Sequence, residues 1–368
     1  MGTLSILRWG GSRSVAEPSK GWGYMSRREQ VRGEGRSASA AEVAERAGVS
    51  RQTVSRVVNG LSNVTPKTRE RVLAAMEELG FRPNFAGAAL RGGSYRSIGL
   101  CMYDITRAGN LATLEGIMAA ARERDFAVTM IEMGDDEPFS LTDASRCMVE
   151  RPIDGMIINM NRMAPDFEEF RPQPGVRTVI LSMYAHPRCT TVDSDQYGSS
   201  ELVVNYLLKR GHTQIRFVAG PKGSVASGFR EEGWRDTLER AGIEAAPALR
   251  GDWMADSGYE AGVRVAQEVR AGGPGAPTAV FAANDQMAFG AIAALEDAGL
   301  SVPENVSVVG IDDALQGIVP HNRLTTVRFD LSKNGRLAFE AAVGGHASVE
   351  AIRLSSTLVE RATVADRR

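Results

Sequence analysis

From residue 97 onward the chain alternates short apolar runs with amphipathic stretches, and this alternation restricts the possible fold more than any other feature. The apolar runs have the length and composition of buried parallel strands; they are SIGLCMY, FAVTMIEM, DGMIIN, RTVILSM, QIRFVAG, TAVFAAN and VSVVGID. Helical periodicity fits the intervening segments 111–124, 198–210, 228–241, 257–270 and 286–299. The pattern predicts an α/β fold of doubly wound parallel sheets. Because these strands are more than one sheet usually holds, we expect two similar lobes with a cleft between them.

Polar side chains follow several of these strands, at the sheet edge where ligands bind in doubly wound folds. The candidate ligand contacts that follow strands are Asp104, Ser182, Asn284 and Asp312. Arg230 and Trp253 join them from loop or helix positions. Planar polar groups chelate adjacent sugar hydroxyls, and an aromatic ring covers the C–H face of a sugar. Taken singly each is a weak signal, because an acidic side chain after a strand often caps a helix and a tryptophan is more often core. Together they predict a sugar site in the cleft.

Near the N-terminus, the stretch GVSRQTVSRVVNG at 48–60 predicts a very short helix with polar side chains on one face. Ser50 fits its N-cap and Asn59-Gly60 fits its stop. One side is apolar through Val54, Val57 and Val58. The other side and the N-terminal tip present Arg51, Gln52, Ser55, Arg56 and Asn59. An isolated helix of this kind is usually just a solvated surface helix, so the neighbouring segments decide between the alternatives.

Those neighbours predict a helix-turn-helix unit. Ser39 and Glu42 have the spacing of a capping box before a first helix, and Thr65 with Pro66 opens a third helix that stops at Gly80. The expected core face of the third helix is Val72, Leu73, Met76 and Leu79. A helix, a glycine-containing turn and a second helix form the helix-turn-helix order. Three short helices around one small core leave the outer face of the middle helix available to a partner.

Charge indicates what that partner is. The whole chain carries −2, yet residues 1–97 hold 16 Lys and Arg against 8 Glu and no Asp, so the remainder is strongly acidic. A basic module on an acidic body suggests that only the small end meets a polyanion. Arginine suits guanine edges and Gln or Asn suits adenine, whereas Thr53, Ser55 and Asn59 suit phosphate oxygens. DNA recognition is therefore favoured over a solvated helix.

These residues also resemble a known family. AAEVAERAGVSRQTVSRVVNG, VTPKTRERVLAAMEELGFRPN and FAGAAL, from Ala40 to Leu90, are similar to the headpiece of the lactose-repressor family of bacterial transcriptional regulators. AGPKGSVASGFREEGW, GDWMADSGY, AANDQMAFGA, SVVGIDD and RLTTVRFD resemble the body of the same family in order and spacing. The resemblance covers nearly all of residues 40–365 and implies a two-lobed body like that of periplasmic sugar-binding proteins.

For the headpiece, the resemblance implies a recognition helix at 50–58 in the major groove of DNA. It further implies a hinge helix at 83–91 that folds only on DNA, with Asn84 and Leu90 as DNA contacts. In the family, the leucine that matches Leu90 wedges into the minor groove and kinks the operator.

For the body, the resemblance implies that Arg230, Asn284 and Asp312 bind sugar hydroxyls and that Trp253 stacks on the ring. Ser182 departs from the pattern, because the family's lactose-sensing member has an aspartate at the matching strand end. The resemblance therefore implies a sugar sensor without implying that lactose or a galactoside is the effector.

The expected organisation is a disordered tail (1–38), a helix-turn-helix domain (39–82), a hinge helix and linker (83–96) and an effector-binding and dimerisation domain (97–368). We expect a repressor that binds a pseudo-palindromic operator as a homodimer and responds to a small sugar or glycoside. A regulator of a non-sugar metabolite is the alternative. A solute-binding protein would share the body but would need an export signal and no headpiece.

Neither an enzyme nor a cofactor-dependent or metal-dependent protein is expected. The histidines are scattered, at His186, His212, His321 and His346, and no nucleophile with a base appears. The acidic pair in IDD lacks a third acidic partner, so a metal there is a minor alternative. Widely spaced Cys101, Cys147 and Cys189 suggest reduced thiols in a cytoplasm. No run reaches the roughly 18 apolar residues that span a bilayer. The first 38 residues lack the apolar core of a secretory signal. Met25 is an alternative start of the chain.

Overall fold

The computed structural model describes residues 38–58, 61–81, 94–103, 105, 107–133, 140–314, 317–344 and 348–367. The chain divides into two units, Met1–Pro83 and Asn84–Arg368. Each unit is described by itself below. The predicted hinge helix at 83–91 and the predicted contacts Asn59, Asn84, Leu90 and Asp104 lie outside the described residues.

The described part of the first unit contains three short helices, α1 (Ala40–Ala47), α2 (Arg51–Val58) and α3 (Pro66–Glu78). Their starts agree with the predicted caps. Ser39 and Glu42 form a complete capping box, and the Ser50 hydroxyl accepts a hydrogen bond from the Thr53 backbone N–H at 3.1 Å. Helix α1 ends at Gly48, whose φ of 62° suits glycine. The shared core is Val43, Ala44, Ala47, Val54, Val57, Val72 and Ala75.

The prediction that Leu73 belongs to this core is wrong. Val72 is fully buried and Met76 and Leu79 pack against the core, but Leu73 is 51% exposed. Positions 72, 76 and 79 lie within a narrow arc of the helix, whereas position 73 is turned about 100° away from 72. Leu73 therefore lies on the solvent side, and Ala75 takes its place in the core.

The second unit contains the predicted strands and helices. Its strands are β1 (Ser97–Tyr103), β2 (Ala127–Met133), β3 (Gly155–Asn159), β4 (Arg177–Leu181), β5 (Thr190–Ser194), β6 (Ile215–Ala219), β7 (Leu249–Arg250), β8 (Ala279–Ala282), β9 (Ser307–Val309), β10 (Thr326–Arg328), β11 (Ala351–Leu354) and β12 (Thr357–Val359). Its helices are α4 (Ala108–Glu123), α5 (Leu141–Val149), α6 (Gln196–Lys209), α7 (Val225–Arg240), α8 (Ala255–Ala271), α9 (Asp285–Asp297) and α10 (Leu331–Val343).

Two parallel sheets form two lobes. The six-stranded sheet of the first lobe has the order β11-β5-β4-β3-β1-β2, and the four-stranded sheet of the second lobe has the order β7-β6-β8-β9. All pairings within these two sheets are parallel, whereas β10 and β12 form an antiparallel ribbon. Alternate β1 residues pack on opposite faces, Leu100 beside α4 and Cys101 beside α5. This two-sided burial explains why β1 reads as a continuous apolar run.

The chain crosses between the lobes more than once. After β5 it enters the second lobe through α6, whose Val203 and Leu207 belong to that lobe's core. After β10 it returns, because α10 packs on α4 and β11 pairs with β5. Gly335 makes the close α10–α4 packing possible, since a Cβ there would lie 2.1 Å from the Thr113 carbonyl oxygen. These crossing segments, between β5 and α6 and between β10 and α10, connect the two lobes.

The structure confirms every predicted strand and helix of the body, with helix bounds shifted by at most three residues. One detail is corrected: β2 is an edge strand with exposed positions rather than a buried strand. No helix in the described part of the chain combines the length and the apolarity that crossing a bilayer requires.

Candidate functional site

The outer face of α2 is polar and accessible. Arg51, Gln52 and Ser55 are exposed and Arg56 is half-buried, while Val54 and Val57 hold the helix on the core. Thr53 differs from the other candidates, because its hydroxyl lies 3.0 Å from the Ser50 hydroxyl within the helix cap. The helix therefore presents side chains able to contact bases at its tip and on its solvent face.

In the second unit, a cavity of about 370 Å³ lies between the two lobes. Of the candidate ligand contacts, Arg230, Trp253, Asn284 and Asp312 line it together, all from the second lobe. The first lobe and the crossing segments add polar residues that were not predicted; they include Asn110, Asn159, Asp193, Gln196 and Asn334. We call this space the interlobe cleft.

Arg230 is the central polar group of the cleft. It lies on α7, is only 5% exposed, and donates from Nε to Gln196 Oε1 at 2.8 Å and from Nη2 to Asp312 Oδ1 at 3.0 Å. Its Nη1 donates to the Ala283 carbonyl. The guanidinium has more N–H groups than these acceptors use, so it can also donate to a ligand. A buried charge of this kind is stable only when paired, and Asp312 is the partner.

Asp312 follows β9 and faces the cleft with a φ of 108°, a conformation that is rare outside glycine. Burial raises the pKa of Asp312, and the ion pair with Arg230 opposes that shift. Its neighbour Asp313 accepts instead from Arg328 at 2.6 Å and from Arg361 at 2.7 Å. Both carboxylates of the IDD segment are thus engaged by arginines. No group of three or more His, Cys, Asp or Glu among the described residues is arranged to hold a metal ion.

Trp253 and Asn284 are positioned by each other. The Asn284 side chain accepts from the Met287 N–H at 2.9 Å, which caps α9, and donates to the Trp253 carbonyl at 2.9 Å. The indole lies against Gly220, where a Cβ would approach ring atoms to 2.5 Å. Glycine at 220 therefore lets the indole approach the backbone at the end of β6, with the Arg230 guanidinium 5.7 Å from its ring centre.

Asp285 is a second buried carboxylate beside this site. It accepts from Thr326 Oγ1 at 2.5 Å and from the Ala314 N–H at 3.0 Å. Burial raises its pKa to about 8, and the nearby carboxylates of Asp312 and Asp313 add to the shift. At neutral pH the cleft therefore contains a largely protonated acid behind the Arg230–Asp312 pair.

Ser182 does not belong with the other candidates. It is buried just beyond β4, its Oγ accepts from the Tyr184 N–H at 3.1 Å, and it is absent from the described lining of the cleft. A short side chain of this kind can be occupied by a local hydrogen bond to the backbone. The carboxylate that faces the cleft near this edge is Asp193, on the neighbouring strand β5.

The residues that the sequence analysis missed were missed for different reasons. Asn159 ends a predicted strand, so its position at the ligand-binding edge of the sheet could have been predicted. Asp193 lies in TTVDS, whose polar composition does not indicate a strand. Asn334 reaches the cleft only because α10 returns to the first lobe.

His212 lies in the turn between α6 and β6, where its ring nitrogens contact Thr278 Oγ1 and the Ala365 carbonyl.

Known proteins resemble both units. Residues 40–84 match the model of bacterial regulatory proteins of the lacI family, and residues 204–364 match the periplasmic binding protein-like domain. The chain is 33% identical to the lactose operon repressor of Escherichia coli K12 over 306 residues, which are 81% of this chain and 82% of that protein. It is 31% identical to the HTH-type transcriptional regulator GalS of Salmonella typhimurium, over 88% of this chain and 96% of that protein.

Solved structures give the same result. The crystal structure of the lac repressor dimer bound to operator and the anti-inducer ONPF superposes with a TM-score of 0.74 at 30% identity, covering 90% of this chain and 100% of that chain. A complex of the transcriptional regulator CelR with cellobiose has a TM-score of 0.63 at 26% identity, covering 89% and 99%.

Proposed function

We propose that this chain, which belongs to the lacI family of bacterial regulatory proteins, is a repressor whose affinity for an operator is set by a neutral sugar or glycoside in the interlobe cleft. It is a ligand-responsive, DNA-binding transcriptional regulator and not an enzyme.

The observation that carries the effector proposal is the Arg230–Asp312 pair beside Trp253. A guanidinium and a carboxylate, joined at 3.0 Å and opening on a cavity, offer a donor and an acceptor at neighbouring positions. Adjacent sugar hydroxyls match such a pair, because each hydroxyl both donates and accepts. The Trp253 indole supplies an apolar surface for the C–H face of a ring. Asn284 acts mainly as a positioning residue, since both ends of its amide already have protein partners.

The exposed face of α2 supports a role in operator recognition. In the proposal, Arg51, Gln52 and Arg56 contact base edges and Ser55 contacts a phosphate. Asn59 and, from the resemblance, Asn84 and Leu90 are further proposed DNA contacts. Thr53, whose hydroxyl lies 3.0 Å from that of Ser50, is a proposed phosphate contact. We assign the DNA-binding domain to 39–82, the hinge helix and linker to 83–96 and the effector-binding and dimerisation domain to 97–368.

The proposed assembly is a homodimer on a pseudo-palindromic operator in the cytoplasm. One headpiece reads only a few base pairs, so a two-fold dimer supplies the second half-site. The structure of the lac repressor dimer on its operator supports this assembly by similarity. Closure of the lobes about the crossing segments would change how the segments 83–96 of the two protomers approach the DNA. A ligand that binds one lobe arrangement more tightly shifts the equilibrium between open and closed lobes.

The test uses the full chain and an operator selected from random duplex DNA. Calorimetry measures binding of glucose, ribose, cellobiose and ONPG, with glucuronate and glucosamine as charged comparisons. Fluorescence anisotropy then measures operator affinity with and without each sugar that binds. We expect at least one neutral sugar to bind and to change operator affinity. Binding of charged compounds alone would overturn the sugar assignment, and failure to select any DNA sequence would overturn the role of α2.

A further inference from the structure

The first-lobe wall of the interlobe cleft contains polar groups with no counterpart among the predicted contacts. Asp193, on β5, accepts from the Ser194 N–H at 2.7 Å and from Gln196 Nε2 at 3.3 Å, both at Oδ1. Gln196 in turn accepts from Arg230 Nε at 2.8 Å. The described contacts of Asp193 thus engage one of its carboxylate oxygens, and Asp193 lines the cleft.

Asn334 supplies a second acceptor on this wall. It lies in the first turn of α10, is only 3% exposed, and donates from Nδ2 to Ser194 Oγ at 2.7 Å. Its Oδ1 is buried and has no hydrogen-bond partner among the described residues. A buried oxygen left without a donor lowers stability, so such atoms normally have a partner. Since Asn334 lines the cleft, a ligand can provide the missing donor.

We infer that Asp193 and Asn334 form a second polar subsite, on the first-lobe side of the cleft, that accepts hydrogen bonds from hydroxyl groups of the effector. This inference rests on the proposed sugar-sensing function and deepens it. Asp193 then provides, from β5, the carboxylate that is absent at position 182. A ligand that spans the cleft meets acceptors on the first-lobe wall and the Arg230 donors on the second, which fixes its orientation and favours lobe closure.

Charge selects a neutral hydroxyl over an ammonium group as the donor. Burial raises the pKa of Asp193 to about 6, although the positive charges of Arg353 and Arg230 lower it. A cationic ligand at this position would therefore meet two arginines as well as the carboxylate. An anionic group would meet Asp193 and Asp312. Hydroxyl groups satisfy the buried acceptors without adding charge.

The experiment measures sugar affinity in the full chain by calorimetry, using the sugar from the glucose, ribose, cellobiose and ONPG panel that binds most tightly. Asp193→Asn and Asn334→Leu each remove one acceptor. Asp195→Asn is the matched control, because Asp195 lies nearby but caps α6 and does not line the cleft. We expect affinity to fall about tenfold or more for Asp193→Asn and severalfold for Asn334→Leu, with little change for Asp195→Asn.

Deoxy analogues of the same sugar test the contact without relying on a variant's stability. Removing the hydroxyl that donates a hydrogen bond to Asp193 should weaken sugar binding to the wild type. The same removal should reduce the affinity of Asp193→Asn little further, so the effects of the deoxy analogue and of the substitution are not additive. Additive losses for every hydroxyl, or affinities equal to that of the Asp195→Asn control, would overturn the subsite while leaving sugar sensing intact. If no sugar binds the wild type, the proposed function and the subsite both fail.

Discussion

The two polar surfaces of this protein are built in opposite ways. On α2, Arg51 and Gln52 are exposed on a helix of eight residues, and the buried valines on its other side hold it in place. In the cleft, Arg230 is buried and donates hydrogen bonds to Gln196 and Asp312. Exposed side chains add little to folding stability, so recognition can change there at small cost. Buried charged side chains serve folding and binding at once, so changes in the cleft affect both.

The largest expected effect is the loss of Arg230. Arg230→Ala leaves the Asp312 carboxylate buried without its partner, which should lower the free energy of unfolding by about 3–5 kcal/mol and abolish the effector response. Chemical denaturation and calorimetry measure the two effects. The double change Arg230→Met with Asp312→Leu removes both charges, so it should regain much of the stability without regaining sugar binding. Full recovery of sugar binding in the double variant would show that the pair is purely structural.

On α2 the corresponding change affects recognition alone. Gln52→Ala and Arg56→Ala should each reduce discrimination between operator and random DNA by about 1–3 kcal/mol while leaving weak, salt-sensitive binding to any duplex. Thermal unfolding should hardly change for Gln52→Ala, because Gln52 is exposed. Glu45→Gln, on the exposed face of α1, is a control for altered charge. Unchanged sequence preference in both α2 variants would contradict the assignment of the recognition helix.

A smaller effect is expected where backbone space positions the indole. Gly220→Ala places a methyl group 2.5 Å from the Trp253 ring, so the ring must shift and lose its contact with a bound sugar. Affinity for the sugar should fall severalfold, in line with about 0.5–1.5 kcal/mol for a ring contact. Gly228→Ala is the matched control, because a Cβ there meets no atom within 4 Å. Equal affinities in the two variants would remove Trp253 from the sugar site.

Asp285 adds a pH dependence of stability. Its pKa is raised to about 8 in the folded protein, so the folded state holds a proton that the unfolded state has released above about pH 4. Stability should therefore decline as the pH rises from about 5 to about 8, and should decline less steeply in Asp285→Asn. Denaturation midpoints at several pH values measure the difference. Parallel pH curves would show that Asp285 is ionised in the fold throughout this range.

The architecture was predictable because local patterns decide it. The strand β1 was predicted at its observed bounds, since all of its residues are buried and all but Ser97 are apolar. The caps at Ser39 and Thr65 begin α1 and α3 as their spacing indicates. The error at Leu73 came from assigning adjacent positions 72 and 73 to one helix face.

The cleft was only half predictable, and the two lobes show why. Arg230, Asn284 and Asp312 lie in or beside predicted elements of the second lobe, so their convergence follows from sheet topology. Asp193 and Asn334 meet on the first lobe only because β5 is a polar strand and α10 returns to that lobe. Neither feature can be recognised from the local sequence pattern. Ser182 is not among the residues described as lining the cleft, and its Oγ accepts a hydrogen bond from the Tyr184 N–H.

The most direct test of the account is whether the two surfaces are coupled. Operator affinity should be measured by fluorescence anisotropy in the wild type and in the Arg230→Met with Asp312→Leu variant, with and without a saturating sugar identified by calorimetry. The account predicts that the sugar changes operator affinity about tenfold or more in the wild type, and that the operator changes sugar affinity by the same factor. The variant should bind the operator without responding to the sugar. A sugar that binds in the cleft of the wild type and leaves operator affinity unchanged would contradict the account.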